Sequence, residues 1–147
     1  MSHGVCFRRE TVRWMQDQWS WVFSNYGLVA PNIWECGKRS DLRGKDFDIY
    51  QKTIAIDLAS ELPDQPLVVL AHPDSRYIRG TESLFDFVHP ADAIYLFGAS
   101  HLNLSYEEDL GTRVPNHLVY IPSTKYEMYG HNAAYITLYD RAKKANG

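Results

Sequence analysis

Residues 92–105 read Asp92-Ala93-Ile94-Tyr95-Leu96-Phe97-Gly98-Ala99-Ser100-His101-Leu102-Asn103-Leu104-Ser105. The apolar run from Ala93 to Phe97 stops at Gly98 and gives way to a polar loop. A short continuous run of β-favouring residues closed by glycine is the pattern of a strand buried on both faces. Such strands belong to parallel sheets covered by helices, and in these sheets ligands bind beyond the carboxyl ends of the strands. The loop from Gly98 to Ser105 is therefore the first place to look for function.

Working outward, Leu67 to Ala71 forms a second apolar strand led in by Pro66, and it opens into His72-Pro73-Asp74-Ser75-Arg76. Leu118 to Ile121 is a third, followed by a loop from Pro122 to Gly130. Gly4 to Arg8 and Ile33 to Glu35 add two more near the start. Between them Val12, Met15, Trp19, Val22 and Tyr26 recur every three or four residues, so Glu10 to Tyr26 is expected to be a helix stopped by Gly27. Trp14 and Trp21 put a second apolar stripe on that helix, which then either lies deep in the core or packs on a partner chain. Phe47 to Leu62 is expected to be helical, with Ala55, Leu58 and Leu62 on one face and Pro63 as the stop. Tyr106 to Leu110 fits one helical turn capped by Ser105. Asn132 to Lys144 is a closing helix with Tyr135, Ile136, Tyr139 and Ala142 as its apolar stripe. Ser83 to Val88 has no clear type.

About five or six strands alternating with helices predict an α/β fold, a single domain over residues 1–147 with a mostly parallel sheet and helices on both faces. The loops after Ala71, Phe97 and Ile121 then emerge along one edge of the sheet.

The chain has 147 residues, 45% hydrophobic and 22% charged, and a net charge of −3. That balance suits a globular protein with a substantial core and offers no global basic field to attract nucleic acid. Cys6 and Cys36 make neither a disulfide framework nor a metal cluster, which fits reduced thiols in a cytoplasmic protein. No 18-residue apolar run and no charged-then-apolar leader is present, so neither a membrane span nor a signal peptide is expected.

Gly98-Ala99-Ser100-His101-Leu102 has the outline of a nucleophile elbow, but that motif needs glycine where Leu102 stands. A serine hydrolase would use Ser100 with His72 or His131 as its base. The six histidines show no zinc-binding spacing. His72 and His89 each precede proline, a context that suits a loop role. The glycine-rich signatures of dinucleotide and P-loop sites are absent.

Three pieces, in order, resemble the SPOUT superfamily of S-adenosylmethionine-dependent RNA methyltransferases, especially its SpoU-type 2′-O-methyltransferase branch. The first runs from Asp86-Phe87-Val88-His89-Pro90-Ala91-Asp92-Ala93 through Phe97-Gly98 to Leu104-Ser105. The second is Val119-Tyr120-Ile121-Pro122. The third runs from Asn132-Ala133-Ala134 to Leu138-Tyr139-Asp140. The similarity covers residues 67–144, and Asn25-Tyr26-Gly27 resembles the end of the family's first helix. What the resemblance implies is a C-terminal trefoil knot, a homodimer, S-adenosylmethionine as cofactor and tRNA or rRNA as partner. It also implies that backbone groups at Leu70, Gly98, Ile121, Pro122 and Met128 hold the cofactor.

The sequence departs from the family where catalysis is concerned. Ser100 stands where the family usually has glutamate, and Asn103 where it has glycine. Glu127-Met128-Tyr129-Gly130-His131-Asn132 replaces the family's Ser-Leu-Asn opening of the closing helix. The family's helix-one arginine falls near Trp21, so Arg13 and Arg76 are the candidates for the cation that assists methyl transfer. A catalytically inactive SPOUT-fold scaffold is the rival reading, and a small serine hydrolase a further alternative.

Overall fold

The structure, a computed structural model, describes residues 3–8, 13–29, 32–36, 54–56, 61–70, 81–98, 113–122 and 128–146, with residues 54–56 described through their backbone. In chain order the elements are β1 (Gly4–Arg8), α1 (Arg13–Asn25), β2 (Ile33–Cys36), β3 (Ile54–Ile56), β4 (Leu67–Leu70) and β5 (Glu82–Ser83). A 3₁₀ turn (Leu84–Asp86), β6 (Ile94–Phe97), β7 (His117–Tyr120) and α2 (Gly130–Asn146) complete them.

The strands form one seven-stranded sheet in the order β3-β2-β1-β6-β4-β7-β5, and every neighbouring pair is parallel. The apolar run that stops at Gly98 is β6, the middle strand, and all four of its residues are buried. In β6 and its neighbours, alternate residues point to opposite faces, as the strand repeat of two requires. Val5, Phe7, Tyr95, Phe97, Val68 and Val119 join Trp19, Val22, Phe23, Ala134 and Leu138 of the two helices in one core cluster. Cys6, Leu96, Ile94, Leu67 and Val69 point the other way and pack with Trp34, Cys36 and Leu62. Both described helices cover the same face. On the other face Leu62, directly after the helical Glu61, joins the second cluster, and most of the chain between β2 and β4 lies outside the described residues.

Two expectations about elements need correction. Residues 54–56 form a strand paired with β2, Trp34 to Cys36 lying opposite Ile54 to Ile56, not the middle of a helix over Phe47 to Leu62. The helical spacing of Ala55, Leu58 and Leu62 competes there with a short β-branched alternation, Ile54 and Ile56, and edge pairing to β2 decides the outcome. The described sheet also has seven strands, more than expected, because β3 is only three residues inside a helical spacing and the two-residue β5 has no apolar signature. The segment from Ser83 resolves into the end of β5 and a 3₁₀ turn, where Ser83 Oγ accepts from the Phe85 amide at 3.3 Å. The helical turn expected at Tyr106 to Leu110 lies outside the described residues.

Helix α1 ends as its glycine suggests. Gly27 takes a left-handed φ of 64°, Leu28 N donates to Phe23 O at 2.9 Å and Gly27 N to Ser24 O at 3.4 Å. This is a Schellman cap with its apolar contact between Leu28 and Phe23, both buried. Trp14 and Trp21 are 50% and 58% exposed, so of the two readings of the second stripe, deep burial is excluded.

Helix α2 is clasped at its far end. Arg141 donates to Pro90 O at 2.7 Å, Ala91 O at 2.8 Å and Tyr95 Oη at 2.8 Å. The Tyr95 hydroxyl and His89 Nδ1 are 2.7 Å apart, and His89 Nε2 is 2.7 Å from Asp140 Oδ2, which Lys144 also meets at 2.8 Å. With Tyr95 Oη accepting from Arg141, its proton goes to His89 Nδ1, and His89 gives its Nε2 proton to Asp140. Every group is satisfied only when His89 is neutral. Burial of His89, the largest influence on it, lowers its pKa even against the pull of Asp140. His3, packed edge-on to Tyr95, is lowered to about 4 by burial first and by Arg141 and His89 next.

In the unfolded chain these histidines titrate at the ordinary value near 6.5, so on acidification it takes up protons before the folded chain does. The contribution of these histidines should be fully present above pH 6.5 and be lost as pH drops from 6.5 towards 4. Thermal melts across that range check the fall. His3→Phe, which keeps an aromatic ring and removes one titrating group, should flatten it; an unchanged slope would count against this account.

Candidate functional site

Strands β6, β4 and β7 are neighbours, with Val69 opposite Leu96 and Leu70 opposite Val119. Their carboxyl ends therefore lie side by side, and Leu70, Gly98 and Ile121-Pro122 share one stretch of the sheet edge. Leu70 is half-buried and packs on the main core cluster, as does Met128. Ile121 is buried, while Gly98 and Pro122 are half-buried. The five residues expected to hold a cofactor are thus grouped around one edge. The loops after Ala71 and Phe97, with Arg76 and Ser100, and residues 123–127 of the third loop lie outside the described residues.

Helix α2 starts against this edge. A methyl group on Gly130, its first residue, would collide with the carbonyl oxygen of Gly98 and lie 3.2 Å from Cζ2 of Trp19. Only a residue without a side chain lets helix and strand end approach so closely. Around this junction Trp19 packs on Phe97 with centroids 5.8 Å apart. His131 stacks on Tyr129 and meets Trp14 and Trp19 edge-on. Trp14 and Tyr129 are 5.8 Å apart and partly exposed, so an aromatic corner flanks the edge.

Arg13 opens α1 one residue before Trp14. Its side chain is 68% exposed and 3.6 Å from Asp17, an exposed pair worth little. His131, the base of the serine-hydrolase reading, is 3% exposed at the start of α2, and burial holds its pKa down. Its proposed partners Ser100 and His72 lie outside the described residues. His89 belongs to the clasp at the opposite end of α2, a structural role for a loop histidine. Gly130 and Trp19 do not stand out as site residues from sequence, and His131 does so only as a hydrolase base; the one available signal is a glycine opening the closing helix.

Among the described residues no three His, Cys, Asp or Glu side chains converge to hold a metal ion, and no helix is long and apolar enough to cross a membrane. What the edge offers instead is main chain, apolar side chains and aromatic rings. Such a lining suits a largely apolar organic ligand oriented by a few polar contacts.

No protein-family model matches the sequence, and no curated protein matches it. Solved structures do match in shape. The SpoU methyltransferase AviRb from Streptomyces viridochromogenes, in complex with the cofactor AdoMet, aligns over 99% of this chain and 58% of its own, with a TM-score of 0.67 and 18% identity. An rRNA methyltransferase from Sinorhizobium meliloti aligns over 97% of this chain and 56% of its own, with a TM-score of 0.69 and 12% identity. A methylase family protein from Haemophilus influenzae Rd KW20 aligns over 92% and 63%, with a TM-score of 0.65 and 13% identity. The chain has the α/β fold of the SpoU-type methyltransferases, the fold its motifs resemble, and spans about three fifths of the length of these three proteins.

The Gly98–Gly130 junction makes a prediction whose sign opposes helix propensity. Alanine normally favours a helix over glycine by about 1 kcal/mol. Gly130→Ala should instead destabilise the protein by about 1–3 kcal/mol, the range for overpacking a tight contact. Chemical denaturation measures the difference, and a stabilised variant would show that the contact does not constrain the fold.

Proposed function

We propose that this protein is an S-adenosylmethionine-dependent RNA methyltransferase acting on tRNA or rRNA, with a ribose 2′-hydroxyl as the acceptor. The observation that carries the reading is the junction of the β6, β4 and β7 ends with the start of α2, in a fold shared with a SpoU methyltransferase in complex with AdoMet. The residues there fit that cofactor: Leu70, Ile121 and Met128 offer apolar walls, Gly98 and Pro122 offer main chain, and Gly130 keeps the junction narrow. S-adenosylmethionine supplies a methyl group on a positively charged sulfur. The chain's own task is then to hold the nucleoside part at Leu70, Gly98, Ile121, Pro122 and Met128 and to bring an RNA hydroxyl into line with that methyl. Positioning of this kind can account for a large share of such a rate. Arg13, with Arg76 from the loop after β4, meets the RNA and stabilises the developing alkoxide.

The same reading takes residues 1–147 as one domain whose C-terminal part is threaded as a trefoil knot, working in the cytoplasm as a homodimer. Support for the dimer comes from Trp14, Trp21, Ile136 and Tyr139, all at least 38% exposed on α1 and α2. An apolar patch of that kind on a soluble monomer is a liability. The rival, a scaffold without activity, draws on the sequence's departures from the family around Ser100 and His131 and on Arg13's pairing with Asp17.

Calorimetric titration with S-adenosylmethionine and its demethylated product should show micromolar binding, and methyl transfer to total tRNA or ribosomal RNA should follow. Arg13→Ala and Arg76→Ala should each lower the rate by roughly 10²–10³ with stability unchanged. An active parent with both variants unimpaired would refute the role of the arginines, whereas a parent that binds the cofactor and transfers nothing would favour the scaffold.

Sedimentation should give twice the 17.0 kDa chain mass, and Trp21→Asp should shift the equilibrium towards monomer. A parent that remains a monomer at micromolar concentration contradicts the dimer.

A further inference from the structure

Two ring nitrogens at the start of α2, Trp19 Nε1 and His131 Nδ1, have no hydrogen-bond partner. Trp19 is 0% and His131 3% exposed. Burying a polar atom unpaired costs about 1–3 kcal/mol, so native proteins rarely do it unless water or a ligand completes the site.

The two rings are neighbours, and the Trp19 nitrogen is aimed at the start of α2. Cζ2 of Trp19, 3.2 Å from the position a Gly130 Cβ would take, is bonded to the ring carbon that carries Nε1. The N–H edge of the indole therefore faces the first residue of α2. His131 is the second residue of that helix, and its ring centroid is 6.4 Å from that of Trp19. A helix of 17 residues presents the positive end of its dipole there, which favours an anion. No acidic side chain occupies the first turn of α2. An indole N–H can only donate, and the missing partner must therefore accept. With two ring nitrogens near a helix N-terminus, the matching group is a carboxylate, whose two oxygens accept from both.

We infer that Trp19 and His131, at the start of α2, form a carboxylate-binding subsite that takes the α-carboxylate in the methionyl part of S-adenosylmethionine. The inference rests on the proposal that the strand edge is the cofactor site. Gly98 belongs to that edge and touches Gly130, so a ligand held by the strand ends has its polar tail within reach of the helix. Both nitrogens are shielded in the ligand-free chain, and binding displaces what covers them. Tyr129 stacks on His131 and is 42% exposed.

The test compares S-adenosylhomocysteine with 5′-methylthioadenosine, which keeps the nucleoside and sulfur but lacks the amino-acid part. By calorimetry the parent should bind the first at least about tenfold more tightly, the scale of a charge-assisted hydrogen bond. Trp19→Phe and His131→Leu should lose most of that preference while keeping the parent's affinity for 5′-methylthioadenosine, which reports an intact nucleoside site. With no variant involved, the α-carboxylate methyl ester of S-adenosylhomocysteine should bind the parent about as weakly as 5′-methylthioadenosine. Variants that keep the full preference, or an ester that binds like the acid, overturn the subsite alone. A parent that binds neither nucleoside overturns the cofactor reading and the subsite together.

Discussion

The carbonyl oxygen of Gly98 rests against the bare α-carbon of Gly130, and the placement of the closing helix depends on that contact. Strand β6 is held in the middle of a parallel sheet by β1 on one side and β4 on the other. Its end is therefore fixed before α2 arrives. With no side chain on either residue, the helix starts directly on the strand end and carries His131, Ala134 and Leu138 down onto the sheet. Trp19 of α1 fills the space beside the contact. One main-chain approach thus sets the relative positions of the sheet edge and the two described helices.

At its other end α2 is held by different chemistry. Arg141 gathers two carbonyls and a phenol, and Asp140 and Lys144 complete a polar network around His89. These groups lie close to the start of β6, so the same strand anchors both ends of the helix, by polar bonds at one end and by backbone contact at the other. Hydrogen bonds to charged groups are among the stronger contributors to stability. The clasp therefore leaves the opposite edge free to be lined by main chain and apolar groups with few bonds of its own.

Five of the seven described strands can be read from sequence within a residue or so, because each is a compact run of four or five mostly β-favouring residues. Strand β3 cannot be, because three residues inside a helical spacing carry less signal than the spacing itself; β5, at two residues, carries none. The strand ends at Leu70, Gly98 and Ile121 can be located from the same runs. The contribution of α1 and α2 to the edge cannot, since Trp19, Gly98 and His131 are far apart in sequence and only the strand order brings them together. A site walled largely by main chain also leaves little trace in side-chain identity. That fits a fold shared with proteins at only 12–18% identity.

The two flanks of the sheet are its shortest strands, three residues in β3 and two in β5. An exposed edge of a long apolar strand is a template on which other chains can add, the first step towards fibrils. Here the long apolar strands β1, β6 and β4 are enclosed, and the outermost described strands are too brief to nucleate a ladder. Among the described residues, the strands at the two sides of this all-parallel sheet are thus the ones least able to pass its ladder on to a neighbouring chain.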